Sequence, residues 1–201
     1  MTVIGITGPS GAGKSAVSAL LQTKYGFNVI DADRVYHSLV SAPSPCLDEI
    51  KKEFGDSVID INGALDREAL GQIVFGDGNS DKLLILNKIT HKYVVDKIVC
   101  DIEYCNLENT NCVVDAPLLL EAELDRVCDF TIAVLADEKT RAERIIARDS
   151  ISHTKAIARI YSQKSDEFYK SGTDYIVINN GDISLLGSKI EKILSERSVI
   201  L

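Results

Sequence analysis

Close to its start the chain carries Gly8-Pro9-Ser10-Gly11-Ala12-Gly13-Lys14-Ser15, a fit to G-x-x-x-x-G-K-[ST]. Residue types at this spacing suit the wrapping of a polyphosphate. Glycines lack a Cβ, so the backbone can pass through positive φ and turn successive N–H groups toward one point. A helix starting near Ser15 adds the positive end of its dipole. Lys14 brings a mobile cation to the β- and γ-phosphates of a nucleoside triphosphate, and the Ser15 hydroxyl can meet Mg2+. On this reading Gly11, Ala12, Gly13, Lys14, Ser15 and Ala16 hold ATP. The plain alternative is a glycine-rich strand-to-helix turn with an incidental Lys-Ser pair. The flanks argue against it: Val3–Thr7 reads as a buried strand and Ala16–Leu21 as a helix, the order that the motif requires.

Other side chains could complete a phosphoryl-transfer site. Asp31-Ala32-Asp33 follows the apolar run Asn28–Asp31, and ligands gather at the carboxyl ends of parallel strands. A carboxylate there could accept a proton from an attacking hydroxyl, hold Mg2+ through water, or simply cap the helix that follows. Asp115 ends Cys112–Asp115 and is either a metal-side carboxylate or a strand-end turn residue. Arg141, Arg144 and Arg148 share a helical face by spacing. They form either a solvated basic face or a lid that brings planar, permanently charged guanidinium groups to the phosphates. Arg67 and His91 are structural residues or contacts for an anionic acceptor; His37 and His153 carry no pattern.

The elements that must position these groups follow from periodicity. Val3–Thr7, Asn28–Asp31, Cys112–Asp115, Phe130–Leu135 and Tyr175–Ile178 are short and continuously apolar, as parallel strands covered on both faces are. Helical patterns lie between them, and the last is the stripe Ile183, Leu186, Ile190, Ile193, Leu194, with Asp182 or a neighbour as its cap. The expected fold is α/β with a five-stranded parallel sheet in three layers. About eighty residues separate the second and third strands, too many for one crossover helix. This span holds helical patterns at Val35–Leu39, Leu47–Phe54, Arg67–Phe75, Leu83–Ile89 and Val94–Ile102, with turns at Ser41–Pro45 and Phe75–Asn79. The expected division is a core of 1–34, 111–140 and 173–201, an inserted helical subdomain over about 35–110, and a lid over about 141–172.

Composition sets limits. The chain has 201 residues, 45% of them hydrophobic, enough for one core with insertions. Its net charge of −8 argues against broad binding to nucleic acid or anionic membrane, and makes clustered arginines the means of holding a tetra-anion. Five cysteines without a C-x-x-C pair point to free thiols rather than zinc ligation or disulfides. No apolar run is long enough to span a bilayer, and the start does not read as a signal peptide. A cytoplasmic monomer is the expectation.

Over nearly its whole length the chain resembles dephospho-CoA kinase, the family that completes coenzyme A synthesis. The resemblance rests on Gly5–Gly8 through Lys14-Ser15; Asp31-Ala32-Asp33-Arg34-Val35-Tyr36-His37; Gly63–Arg67 with Val74-Phe75; and His91. It continues through Val113-Val114-Asp115-Ala116-Pro117-Leu118-Leu119-Leu120-Glu121, Arg144 with Arg148, Gln163, and Asp174–Gly181. It implies a phosphate-loop kinase core like that of nucleoside monophosphate kinases, a helical CoA subdomain and a mobile lid. It implies ATP and Mg2+, with dephospho-CoA as acceptor. It further implies Asp33 as the base for the ribose 3′-hydroxyl, Arg148 with Arg144 on the phosphates, and Arg67 and His91 on the acceptor side. Asn179 or Asn180 is implied near adenine. Two departures stand out: Lys92 follows His91 where the family usually has Pro, and Leu120 stands where Phe is common. The rival readings are another small-molecule kinase, of nucleoside monophosphate or shikimate type, and a nucleotide-switch binding protein. The second rival lacks an Asn-Lys-x-Asp base-reading element: the chain offers Asn87-Lys88-Ile89-Thr90.

Overall fold

Each of the five apolar runs forms a strand: β1 (Val3–Thr7), β2 (Asn28–Asp31), β3 (Cys112–Asp115), β4 (Phe130–Leu135) and β5 (Tyr175–Ile178). The computed structural model describes residues 1–41, 43–75, 80–181 and 183–199. The strands make one parallel sheet in the order β2-β3-β1-β4-β5. Ile6 of β1 lies beside Asp115 on one side and Ile132 on the other, so the carboxyl ends of the central strands come level. Every residue of β1, β3 and β4 is buried, which is why these strands show no polar alternation.

The α-helices of the described residues are α1 (Lys14–Tyr25), α2 (Ala32–Ser41), α3 (Pro45–Phe54), α4 (Arg67–Val74), α5 (Ser80–Leu107), α6 (Glu138–Asp149), α7 (His153–Tyr161), α8 (Asp166–Gly172) and α9 (Ile183–Glu196). Val17 and Leu21 of α1 and Leu186, Ile190 and Ile193 of α9 bury themselves on Ile4, Ile6, Val134 and Val177. Tyr169 of α8 packs with Ala133 and Leu135 of β4. Asp182, one candidate cap for α9, lies outside the described residues, as do Ala42 and residues 76–79 of the two expected turns.

The chain divides into two compact units, Met1–Ile30 with Ile102–Leu201, and Asp31–Asp101. The second unit has its own core, built from Val40, Ile50, Val58, Leu70, Val74 and Ile89 among others. Its helices start at clear caps. The Ser44 hydroxyl accepts from Leu47 N–H (3.1 Å) ahead of Pro45, and Asp66 accepts from Glu68 and Ala69 N–H. One element differs from the sequence expectation. The patterns at Leu83–Ile89 and Val94–Ile102 belong to a single 28-residue helix, α5, which runs through His91-Lys92 without a break. Lys92 has an N–H to donate and no ring to clash with the preceding turn, so nothing stops the helix where a proline would.

All five cysteines are free. Burial pushes the Cys112 and Cys128 thiols up to about 12, and neighbouring Cys105 adds to the shift at Cys112, so both stay protonated at neutral pH. No helix among the described residues is long and apolar enough to cross a membrane.

Candidate active site

The loop from Gly8 to Gly13 links β1 to α1, and its path depends on glycine, most tightly at Gly8 and Gly13. Gly8 has φ +138°, and a Cβ there would lie 2.1 Å from the Val134 carbonyl oxygen of β4. Gly13 has φ +94° and caps α1; a Cβ there would lie 2.2 Å from Asn179 Nδ2. With side chains excluded, the loop folds tightly. Ala12 N–H donates to Pro9 O (3.2 Å), while the N–H groups of Gly11, Gly13 and Ser15 meet no acceptor among the described residues. Lys14 Nζ donates to Gly8 O (2.8 Å), folding the ammonium back over the same loop. Unspent donors, a lysine and a helix N-terminus converge as an anion receptor does.

The loop is braced from behind by α6 and by the end of β5. Asp137 caps α6 by accepting from Thr140 N–H (2.7 Å), a bond that lowers the Asp137 pKa. Arg144 Nη1 donates to Gly11 O (3.2 Å), Ala12 O (3.1 Å) and Asn179 O (3.0 Å). Asn179 is buried; its Nδ2 donates to Ala12 O (2.9 Å) and its N–H to Leu135 O (2.7 Å). Asn180 Oδ1 accepts from Asp137 N–H (3.0 Å). Arg141, also buried, donates from Nε to Ser10 O (3.0 Å) and from Nη2 to Gln163 Oε1 (2.8 Å), and burial lowers its pKa. Gln163 Oε1 also accepts from Ser10 N–H (3.1 Å).

Arg148 is the exposed member of the three arginines. Its Nη2 reaches Ser10 Oγ (3.3 Å) and Asp149 Oδ2 (3.0 Å), and its Nε donates to Asp149 Oδ1 (2.8 Å). Asp149 also pairs with Arg159. The Arg148 hydrogen bond, helped by Arg159, holds the Asp149 carboxyl down at about 2.

Asp115 closes β3 with its carboxylate buried, and its Oδ2 accepts from Ser18 Oγ (2.7 Å) on the second turn of α1. Ser15 is exposed on the first turn of the same helix. This donor set suits Mg2+, which needs one or two protein oxygens and takes its other ligands from phosphate and water. Among the described residues no group of three or more His, Cys, Asp or Glu side chains gathers as a protein-only metal cage.

In the helical unit the two aspartates after β2 divide the tasks that their sequence left open. Asp31 Oδ1 accepts from Arg34 N–H (3.0 Å) and so caps α2. Asp33 stands exposed in the first turn, its carboxylate without a hydrogen bond or ion pair among the described residues. His37, one helical turn on, lies on the same face. Its Nδ1 meets Arg67 Nη2, brought there from the first turn of α4. His91 sits half-buried on α5 beside Lys92 and Tyr93, whose side chains turn to Glu49.

The dephospho-CoA kinase profile matches residues 2–184, a span that takes in the phosphate loop, the whole helical unit and the arginine helix. The chain belongs to the dephospho-CoA kinase family. A dephospho-CoA kinase of Staphylococcus aureus is 35% identical over 198 residues, covering 98% of this chain and 94% of the relative. Among solved structures, TT1252 from Thermus thermophilus shares 30% identity at a TM-score of 0.77, covering 97% of each chain. A dephospho-CoA kinase from Campylobacter jejuni shares 25% identity at a TM-score of 0.62, covering 97% and 96%.

Within this family the sequence-read residues fall into two groups. Gly11–Ala16, Asp115, Arg144, Arg148 and Asn179 come together around the phosphate loop; in the helical unit Asp33 shares a face of α2 with His37, which meets Arg67, and His91 lies on α5. The sequence offered Arg141 as part of a basic face or a phosphate-binding lid, and the structure makes it a buried brace on Ser10; the bracing roles of Ser10 and Gln163 depend on a contact across 153 residues. His37 had one available signal, its spacing of four from Asp33.

Proposed function

We infer that this chain transfers the γ-phosphoryl group of ATP to the ribose 3′-hydroxyl of dephospho-CoA, giving coenzyme A and ADP, the last step of CoA biosynthesis. The observation that carries this reading is a family match that runs through both the phosphate loop and the helical unit, since the loop alone would serve many kinases. The loop N–H donors of residues 11 to 15 bind the β-phosphate. Lys14 exchanges Gly8 O for the β/γ oxygens, and Arg148 steadies the charge that builds on the group in transfer. Arg144 and Asn179 act through the loop, holding the Gly11 and Ala12 carbonyls so that the facing donors stay aimed. The Ser15 hydroxyl and the Asp115 carboxylate would hold Mg2+, which would supply charge neutralisation for the phosphates.

On the acceptor side Asp33 is the general base. As the bond from the 3′-oxygen to Pγ forms and the β–γ bridge breaks toward ADP, the hydroxyl proton passes to the Asp33 carboxylate. Arg67, with His37, and His91 contact the anionic acceptor. Residues 31–101 form the acceptor-binding part of the chain, and about 141–172 form a cover, already anchored to the loop through Arg141 and Arg144, that excludes water as a competing acceptor. No covalent enzyme intermediate is needed, because positioning and electrostatics carry the reaction.

Mass detection of CoA formed from dephospho-CoA and Mg-ATP tests the proposal. CoA and ADP should appear one for one. ADP release that answers instead to a nucleoside monophosphate or to shikimate overturns it.

A further inference from the structure

Ser10 lies in the phosphate loop but outside the run of donors assigned to phosphate, and all three of its polar groups are taken. Its N–H goes to Gln163 Oε1 (3.1 Å), its carbonyl accepts from Arg141 Nε (3.0 Å), and its hydroxyl accepts from Arg148 Nη2 (3.3 Å). Every partner comes from the polar segment after β4. Gln163 closes the arrangement, because the same side-chain oxygen also accepts from Arg141 Nη2 (2.8 Å). One amide oxygen therefore ties the loop backbone to the base of the arginine helix.

We propose that Gln163 is a positioning residue for phosphoryl transfer, latching α6 to the phosphate loop through Ser10 and Arg141. The physical argument is one of register. Arg141, Arg144 and Arg148 are successive members of one face of α6. Arg141 is buried and cannot shift without leaving a charged group unpaired, which is costly. Fixing Arg141 to Ser10 therefore fixes where Arg148, two turns on, stands relative to the loop donors. Neither Gln163 nor Ser10 needs to touch a phosphate. Their oxygen and N–H set the geometry in which Arg148 and the loop address the same group, and small misplacements of that geometry cost rate steeply. The helix pair contributes stiffness, since Ile145 of α6 packs on Ala156 and Ile160 of α7, the helix that leads to Gln163.

This inference rests on the nucleotide-site reading above, and the test separates the two. Gln163→Met keeps the length of the side chain and removes the acceptor oxygen. The expected result is a fall of about tenfold in kcat/KM for ATP, the scale of a lost charge-assisted hydrogen bond. KM for dephospho-CoA should stay unchanged, while the thermal midpoint should fall by a few degrees, because Arg141 Nη2 and Ser10 N–H lose their acceptor. Arg141→Met alone should produce a similar loss, and the double variant should be no worse than the poorer single, as expected when both act through one oxygen. Unchanged kinetics in Gln163→Met would overturn the latch, as would additive losses in the double variant. A loss that falls equally on ATP and on KM for dephospho-CoA would show general loosening rather than positioning and would also overturn it. If Arg141→Met does not fold, Gln163→Met decides alone. Lys14→Ala assayed alongside reports on the nucleotide site itself: an inactive Lys14 variant beside a normal Gln163 variant removes the latch and leaves the site standing.

Discussion

Between Gly8 and Ser15 the groups offered to a ligand are mostly backbone N–H donors, and they are braced from behind by Arg141, Arg144 and Asn179. On α2 the groups offered are exposed side chains, Asp33 and His37, with Arg67 reaching in from α4. The first region is set before a ligand arrives, because amides have no rotamers and two of their three supports, Arg141 and Asn179, are buried. The second keeps side-chain freedom that a substrate must remove. On the proposed assignment, triphosphate recognition is thus preorganised, while acceptor recognition is completed on binding. The preorganised region should therefore fail through backbone and charge changes, and the acceptor region through the loss of single functional groups.

The largest expected effect tests the acceptor side. Asp33→Asn should lower kcat by about 10²–10⁴, the usual worth of a general base, with KM for ATP within about twofold of the parent in steady-state assays. A fully active variant would remove Asp33 from the chemistry. Lys14→Ala should lower kcat/KM for ATP by about 10²–10³, equally for transfer and for hydrolysis by water, which a coupled ADP assay reads in both modes. Gly8→Ala breaks the loop from within: the new Cβ meets a backbone oxygen that β4 cannot move, at a φ that strains any other residue. We expect a loss of about 3 kcal/mol, seen as a thermal midpoint lowered by about 6–12 °C. Arg67→Met should raise KM for dephospho-CoA about tenfold and leave KM for ATP alone; a change in both would erase the contrast between the regions.

The smallest effect concerns the support of Arg148. The Asp149 carboxyl is held near 2 by Arg148 and Arg159, below the unfolded value of about 3.9. A lowered folded pKa means that the stabilisation is present above about pH 4 and fades as the pH falls toward 2. The difference in thermal midpoint between the parent and Asp149→Asn should therefore shrink over that window. Because the pair is exposed, the difference should also be small and sensitive to salt.

The five strands were legible because parallel strands buried on both faces leave continuous apolar runs, and the phosphate loop because glycine spacing is a backbone requirement written directly in residue type. Asp31 and Asp33 show the limit of that legibility. Both are carboxylates after a strand, and only the hydrogen bond to Arg34 N–H tells cap from candidate base. The same holds along α6. Spacing put Arg141, Arg144 and Arg148 on one face, but the fold alone made the first a buried brace, the second a clamp on the loop carbonyls and the third an exposed arm.

The local code of this chain, its glycines, apolar runs and caps, sufficed to determine a nucleotide-binding α/β core with a helical insertion. Local interactions set such features, and each is recorded within a few neighbouring residues. Which side chains brace the loop, and which are left to act, was decided only by tertiary contacts. Ser10 N–H donates to the Gln163 side-chain oxygen across 153 residues, and no sequence period encodes a meeting made by the packing of α6 and α7.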